Sequence, residues 1–396
     1  MPNRNQQLWS YSLPVALALL APFNILASLG MDVYLPVVPA MPAILGTTPA
    51  TIQLTLTLYM IMLGLGQIVF GPLSDRWGRR PVLLGGALLF AVTSLALAAT
   101  SSATLFLALR LTQAAGASAM LVALFATVRD VYAGRPESAV VYSLLNAMLA
   151  CVPAFGPIVG ALIAESIGWR GIFVTLAAPA IAMLVWALAG WHETRPRDEG
   201  ARRVSFGPML CSLPFWTYTL AFGAAMGTFF VFFSTAPRVL IEKAGYSGFD
   251  FSLAFATVAF VMMATARFAA RFTERWGIAG SVMRGMATML LGAFLLLAGE
   301  LCLPPSFLSF ILPMWLMAMG IVFTTSVTAN GALEDFGDMA GTAVALHFCI
   351  QSLIVGFVGT VFIVALDGAT AWPLFAYVTV MVAVTLLALM RLRGRG

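Results

Sequence analysis

Long apolar runs separated by short polar breaks organise the whole chain. A helix needs about 20 mostly apolar residues to cross a hydrocarbon layer of roughly 30 Å. Such stretches recur here one after another, and they predict spans near 14–34, 52–72, 82–100, 105–128, 139–163, 171–191, 215–241, 250–270, 281–301, 307–329, 341–364 and 371–391. Of the 396 residues, 61% are hydrophobic and only 9% charged, against roughly a quarter charged in a soluble domain. The fold class expected is therefore an all-α membrane protein of twelve transmembrane helices. The first run could pass for a cleaved leader, but it holds Pro14, Pro22 and Asn24 and leads into further spans.

Charge refines this picture. A formal net charge of +5 would suggest nucleic acid in a soluble protein, but the basic residues here fall in the breaks. Alternate breaks collect Arg76, Arg79 and Arg80; Arg129 and Arg135; Arg195, Arg197, Arg202 and Arg203; Arg271, Arg275 and Arg284; and Arg391, Arg393 and Arg395. The opposite set holds little beyond Arg170, Arg238 and Lys243. Basic loops stay cytoplasmic, so an even number of passes with both termini in the cytoplasm is expected. The longest polar segment divides the chain into a six-helix bundle over 1–191, a linker over 192–214 and a second bundle over 215–396. Asp75-Arg76-Trp77-Gly78 returns as Glu274-Arg275-Trp276-Gly277, with Gly86 and Gly285, and Gly160 and Gly359, at the same offset. Two parallel six-helix repeats with a midplane site describe one class of secondary transporter.

The segment Gly71-Pro72-Leu73-Ser74-Asp75-Arg76-Trp77-Gly78-Arg79-Arg80-Pro81 is too charged for lipid and is expected to be a tight cytoplasmic turn. Asp75 and the distant Arg129-Asp130 offer carboxylates for Arg76 or Arg79, a charge network that could form and break as a gate latch. In the fifth span, Pro153-Ala154-Phe155-Gly156-Pro157-Ile158-Val159-Gly160 places Gly156 and Gly160 one turn apart, a seam for close helix contact, while the prolines Pro153 and Pro157 favour a bend.

The first of these segments resembles the signature loop between helices two and three of the major facilitator superfamily. The second resembles the Gly-Pro pattern in helix five of its drug/proton antiporters, which is tied there to export. Leu35-Pro36-Val37-Val38-Pro39-Ala40-Met41-Pro42, Phe125 through Tyr132 and Phe229 through Pro237 resemble one subgroup, the chloramphenicol and florfenicol (amphenicol) exporters. The resemblance implies the major facilitator fold and efflux of neutral antibiotics from a bacterial cytoplasm across the inner membrane, driven by proton entry.

Buried polar residues carry the chemistry. Asn24, Ser28 and Asp32 follow one another at intervals of four, so they form one stripe on the first helix. An ionised group inside a span costs about 2.5–3.5 kcal/mol or more, so such residues tend to face the bundle interior, find partners and be functional. Arg110, at a similar depth near the outer end of the fourth span, is the natural partner for Asp32, and Gln113 shares its face. Protonation of Asp32 would loosen that pair and drug binding would compete with the proton. His347 could titrate near neutrality but lacks a carboxylate at its depth. Tyr59, Asn146, Met148, Met226, Phe229, Phe230 and Phe233 offer the aromatic faces, thioethers and donors that suit a neutral aromatic drug.

The amphenicol exporters carry aspartate at the position matching Asn24. Asparagine has the shape of a protonated aspartate and releases no proton. Either a substitution imitates the protonated state, or a natural variant relies on Asp32 alone. The expected function is proton-coupled drug efflux by alternating access, with a proton-coupled importer of a small metabolite as the alternative. Scattered cysteines, no metal-ligand spacing and no nucleophile beside a histidine point to neither enzyme nor cofactor, with the proton gradient as energy source. The expected partners are a small neutral aromatic drug, protons and the bilayer, with no nucleic acid, and the chain is read as a monomer.

Overall fold

The computed structural model describes residues 9, 11–132, 135, 137–195, 206–336 and 339–394. Arg197, Arg202, Arg203 and Arg395 of the expected basic loops lie outside the described residues. Eleven helices among the described residues are long and apolar enough to cross a membrane. One of them, Gly248–Cys302, holds 55 residues. At 1.5 Å per residue it would be about 80 Å long, far beyond a bilayer. It breaks at Gly277, whose φ of 66° and ψ of 177° are not helical, so it supplies two passes and the chain makes twelve.

We number these helices α1 (Leu13–Asp32), α2 (Pro49–Trp77), α3 (Arg79–Ala99), α4 (Ala103–Tyr132), α5 (Glu137–Ile167), α6 (Trp169–Gly190), α7 (Leu213–Pro237), α8 (248–276), α9 (278–302), α10 (Phe307–Leu333), α11 (Gly341–Ala365) and α12 (Trp372–Arg393). α7 shows how the sequence sets a boundary. Ser212 at its N-cap accepts from the Phe215 N–H at 3.3 Å, and Pro214 occupies the first turn, where a missing N–H does no harm.

The chain divides into two compact units, one of residues 1–37, 43–47 and 62–203, the other of residues 38–42, 48–61 and 204–396. The first stretch of α2 thus belongs to the second unit. There Gln53 donates to Ser234 at 3.2 Å and Thr57 shares a hydrogen bond with Thr360.

The same packing occurs inside each unit. In the first, α3 lies against α4 and α6, and α1 against α4, α5 and α6; in the second, the α8–α9 segment lies against α10 and α12, and α7 against α10, α11 and α12. The paired glycines of the sequence repeat sit at matching crossings. A Cβ on Gly86 would stand 2.8 Å from the carbonyl oxygen of Gly116, and one on Gly285 2.7 Å from that of Gly320. Two backbones meet closely at each, which small residues alone permit. Large apolar side chains such as Leu88, Val92, Val185 and Leu188, or Phe294, Leu387 and Met390, are exposed on the unit surfaces. On a soluble protein they would be a liability; here they are the lipid face.

The segment 71–81 differs from the expected turn. α2 continues through Pro72 to Trp77, and the reversal is confined to Gly78 (φ 108°). One glycine in a conformation closed to other residues turns the chain, so no longer loop is needed. Gly277 (φ 66°) does the same in the second unit.

Candidate functional site

On the α1 stripe Asn24 and Asp32 are buried and Ser28 is half-buried. Asn24 is wholly enclosed and Asp32 is 5% exposed. Ser28 donates to the Asp32 carboxylate over a long 3.4 Å. Asn24 Nδ2 donates to the carbonyl of Leu145 on α5 at 2.9 Å, while its Oδ1, also buried, has no hydrogen-bond partner among the described residues.

Arg110 reaches the end of α1 that carries Asp32. Arg110 is fully buried and donates to the carbonyl of Gly30 and to Gln113 Oε1, both at 2.7 Å. The physical reason lies in helix ends. The last four carbonyls of α1 lack intrahelical donors, and the dipole makes that end attractive to a cation. Arg110 therefore caps the C-terminus of α1 two residues short of the carboxylate. Its guanidinium also stands 4.9 Å from the centre of the Tyr34 ring, within the range of a cation–π contact. Gln113 does share its face and passes the network on, donating to Ser94 at 2.7 Å, which donates to the Phe90 carbonyl at 2.6 Å.

The α5 glycines meet this same end of α1. A Cβ on Gly156 would stand 2.7 Å from Asp32 Cβ, and one on Gly160 would collide with the Val33 carbonyl oxygen. The expected close seam is therefore present and packs on the acidic residue itself. Pro153 and Pro157 both lie within α5.

At the arginine-rich end, Arg79 is the buried centre of the charges. It is 2% exposed, donates from Nε to Asp130 at 2.8 Å and pairs with Asp75. Arg76 is exposed, and its side chain makes no ion pair among the described residues. Arg129 approaches the other oxygen of Asp130 at 3.6 Å.

The drug-surface candidates scatter. In the second unit Phe229 and Phe233 join Phe232 and Phe255 in an aromatic cluster, with ring centres 5.3–6.5 Å apart. Phe230 points elsewhere, toward Gly359 of α11, where a Cβ would stand 3.0 Å from its ring. Adjacent helical positions face about 100° apart, which carries Phe230 from the cluster side to the α11 side. Met226 is half-buried and Tyr59 fully buried. In the first unit Asn146 is exposed and Met148 half-buried. His347 is buried, hydrogen-bonded to Thr219 at 2.9 Å and ringed by Phe215, Phe222 and Phe348.

Twelve membrane-length helices in two compact units that repeat one packing pattern, with buried polar side chains at helix contacts, define a polytopic membrane protein of the secondary-transporter class. A family model described as Major Facilitator Superfamily matches residues 20–360, and the chain belongs to that superfamily. It is 51% identical over 380 residues to a "Chloramphenicol resistance protein" of Pseudomonas aeruginosa, covering 96% of this chain and 90% of that one. It is 28% identical over 365 residues to "Multidrug resistance protein MdtL" of Escherichia coli O157:H7, covering 91% and 90%. Among solved structures, a POT family transporter in complex with 5-aminolevulinic acid superposes with a TM-score of 0.74 at 15% identity over 95% of both chains. A bacterial homologue of the human lysosomal transporter Spinster, inward-facing and unoccupied, gives 0.74 at 15% over 96% of both. These two support the fold alone.

Proposed function

We propose that this chain exports small neutral aromatic drugs of the phenicol type, chloramphenicol and florfenicol, from a bacterial cytoplasm across the inner membrane in exchange for protons. The observation that carries this reading is the 51% identity, over 96% of the chain, to a protein named for chloramphenicol resistance. The stripe of Asn24, Ser28 and Asp32 supports it chemically, offering hydroxyl and amide groups to a neutral polyol-like drug and one carboxylate to a proton. The bundles 1–191 and 215–396 would be the moving bodies of alternating access, with 192–214 between them and both termini in the cytoplasm.

The energetics suffice. Exchange of one proton for one neutral drug moves one positive charge inward, and each 100 mV of membrane potential supplies about 2.3 kcal/mol. That sustains roughly a fifty-fold drug gradient, since about 1.4 kcal/mol is a factor of ten. The test is expression in an efflux-deficient bacterium. Chloramphenicol tolerance should rise severalfold, the drug should be recovered unmodified, and a protonophore should restore its accumulation. Unchanged tolerance with the protein present in the membrane would overturn the reading.

A further inference from the structure

We propose that Glu193 is a positioning residue for transport, holding the Gly78 turn so that Arg79 reaches both Asp75 and Asp130. This rests on the export reading above, and it concerns a residue just past the end of α6.

α3 starts at Arg79, directly after the turn. The first N–H groups of a helix have no intrahelical partner, and the dipole favours an anion beside them. The local sequence supplies the opposite. Gly78 has no side chain to cap with, and Arg79, Arg80 and Pro81 bring no acid into the first turn. The missing acceptor comes from Glu193. Its Oε1 accepts from the Arg79 N–H at 2.8 Å and its Oε2 from the Arg80 N–H at 3.1 Å. Oε1 also accepts from the backbone of Thr194 at 3.1 Å and of Arg195 at 2.9 Å, which curls residues 193–195 around the carboxylate.

Two further bonds close the arrangement. Arg195 donates to the Arg76 carbonyl at the end of α2, at 2.6 Å. Arg80 donates to the Leu188 carbonyl in the last turn of α6, at 2.7 Å. A Cβ on Gly78 would run into the Glu193 carboxylate. The ends of α2, α3 and α6 are thus tied together by Glu193, Arg195 and Arg80. Because the Arg79 backbone is fixed from this side, its guanidinium is aimed inward, where it is 2% exposed and bonded to Asp130.

The experiment compares Glu193→Ala and Glu193→Gln with the parent chain in energised membrane vesicles, with chloramphenicol as probe and rates normalised to the protein present. Glu193→Ala should lower the maximal rate about tenfold while moving KM less than about twofold. Glu193→Gln keeps the size and one acceptor oxygen, so it should lie between the two. Backbone amide exchange over 79–83 should speed up in both variants. If Glu193→Ala fails to reach the membrane, the isosteric Glu193→Gln decides. Parental turnover per molecule in Glu193→Gln together with unchanged amide exchange would overturn the proposal, as would a loss of activity matched by loss of protein. If the parent chain itself moves no chloramphenicol, the export reading fails instead, and amide exchange still tests whether Glu193 holds the turn.

Discussion

Asn24 Nδ2 donates to the Leu145 carbonyl 2.9 Å away across the α1–α5 contact. Position 24 must therefore present a donor to a buried acceptor. A protonated aspartate could do so; an ionised one would set two oxygens face to face. The arrangement seen with asparagine is the one a protonated aspartate would adopt.

Asn24→Asp should make this arrangement proton-dependent, present at low pH and disfavoured as pH rises and the donor is lost. Leaving a buried partner unsatisfied costs about 1–3 kcal/mol, or roughly 5- to 100-fold in an equilibrium. Chloramphenicol binding to Asn24→Asp should vary several-fold more between pH 6 and pH 8 than binding to the parent chain, and proton-driven export should strengthen. Matching pH profiles and equal transport would reduce position 24 to a hydrogen bond with the substrate.

Asp32→Asn and Arg110→Ala should each abolish energised export while the protein still reaches the membrane. Their reasons differ. The first removes the titratable group of the stripe, whereas the second removes the cap of α1 and leaves Gly30 and Gln113 without their donor. Arg110→Lys should restore little, because an ammonium loses the planar contact with Tyr34. Resistance at the parental level in either of the first two variants would leave the residue a structural role only.

Charge removal at the arginine-rich end should be graded by burial. Asp130 is 5% exposed and Asp75 64%. Removing one partner of a buried pair costs about 3–5 kcal/mol, while a carboxylate that stays in water, as Asp75 does, contributes about 1 kcal/mol or less. Asp130→Asn should accordingly lower the melting temperature in detergent much more than Asp75→Asn. Equal shifts would count against the assignment of Asp130 as the main counter-ion of Arg79.

The seam on α5 makes a steric prediction. Gly160→Ala drives a methyl into the Val33 carbonyl, whereas Gly71→Ala on α2 meets nothing within 4 Å. Overpacking of this kind costs about 1–3 kcal/mol. Gly160→Ala should destabilise the protein and impair export, and Gly71→Ala should do neither. Thermal unfolding and chloramphenicol tolerance would check both.

Topology has its own test. Reporters active only in the cytoplasm, fused at the C-terminus or between residues 193 and 203, should be active. An inactive, well-expressed C-terminal fusion would overturn the inside placement of both ends.

Much of this was legible in the sequence because membrane spans are set by local composition. The runs gave the helices, the Trp-Gly repeats at 77–78 and 276–277 gave the matching breaks, and the spacing of Gly156 and Gly160 gave a seam. The spacing of Arg110 and Gln113 also placed them on one face. What sequence could not resolve was which of several acceptors at one depth a buried cation would reach. Depth placed Arg110 at the end of α1, but nothing in the sequence singled out the open carbonyl of Gly30 as an acceptor. Ser94, a single hydroxyl in an apolar run, and Glu193, one acid in a polar stretch, gave no local sign of partners 19 and 114 residues away. The neighbours of the α7 phenylalanines were likewise beyond reach, since composition carries no azimuth.

The two glycine breaks share a backbone conformation that only glycine adopts readily, and any side chain there costs about 1–3 kcal/mol in strain. Beyond that they part. Gly78 is hemmed in by the Glu193 carboxylate, while nothing lies within 4 Å of where a Cβ on Gly277 would stand. The repeat is thus symmetric in shape and asymmetric in restraint. At the first break an acid holds the backbone that follows the glycine, so the chain there swings only after that acid lets go.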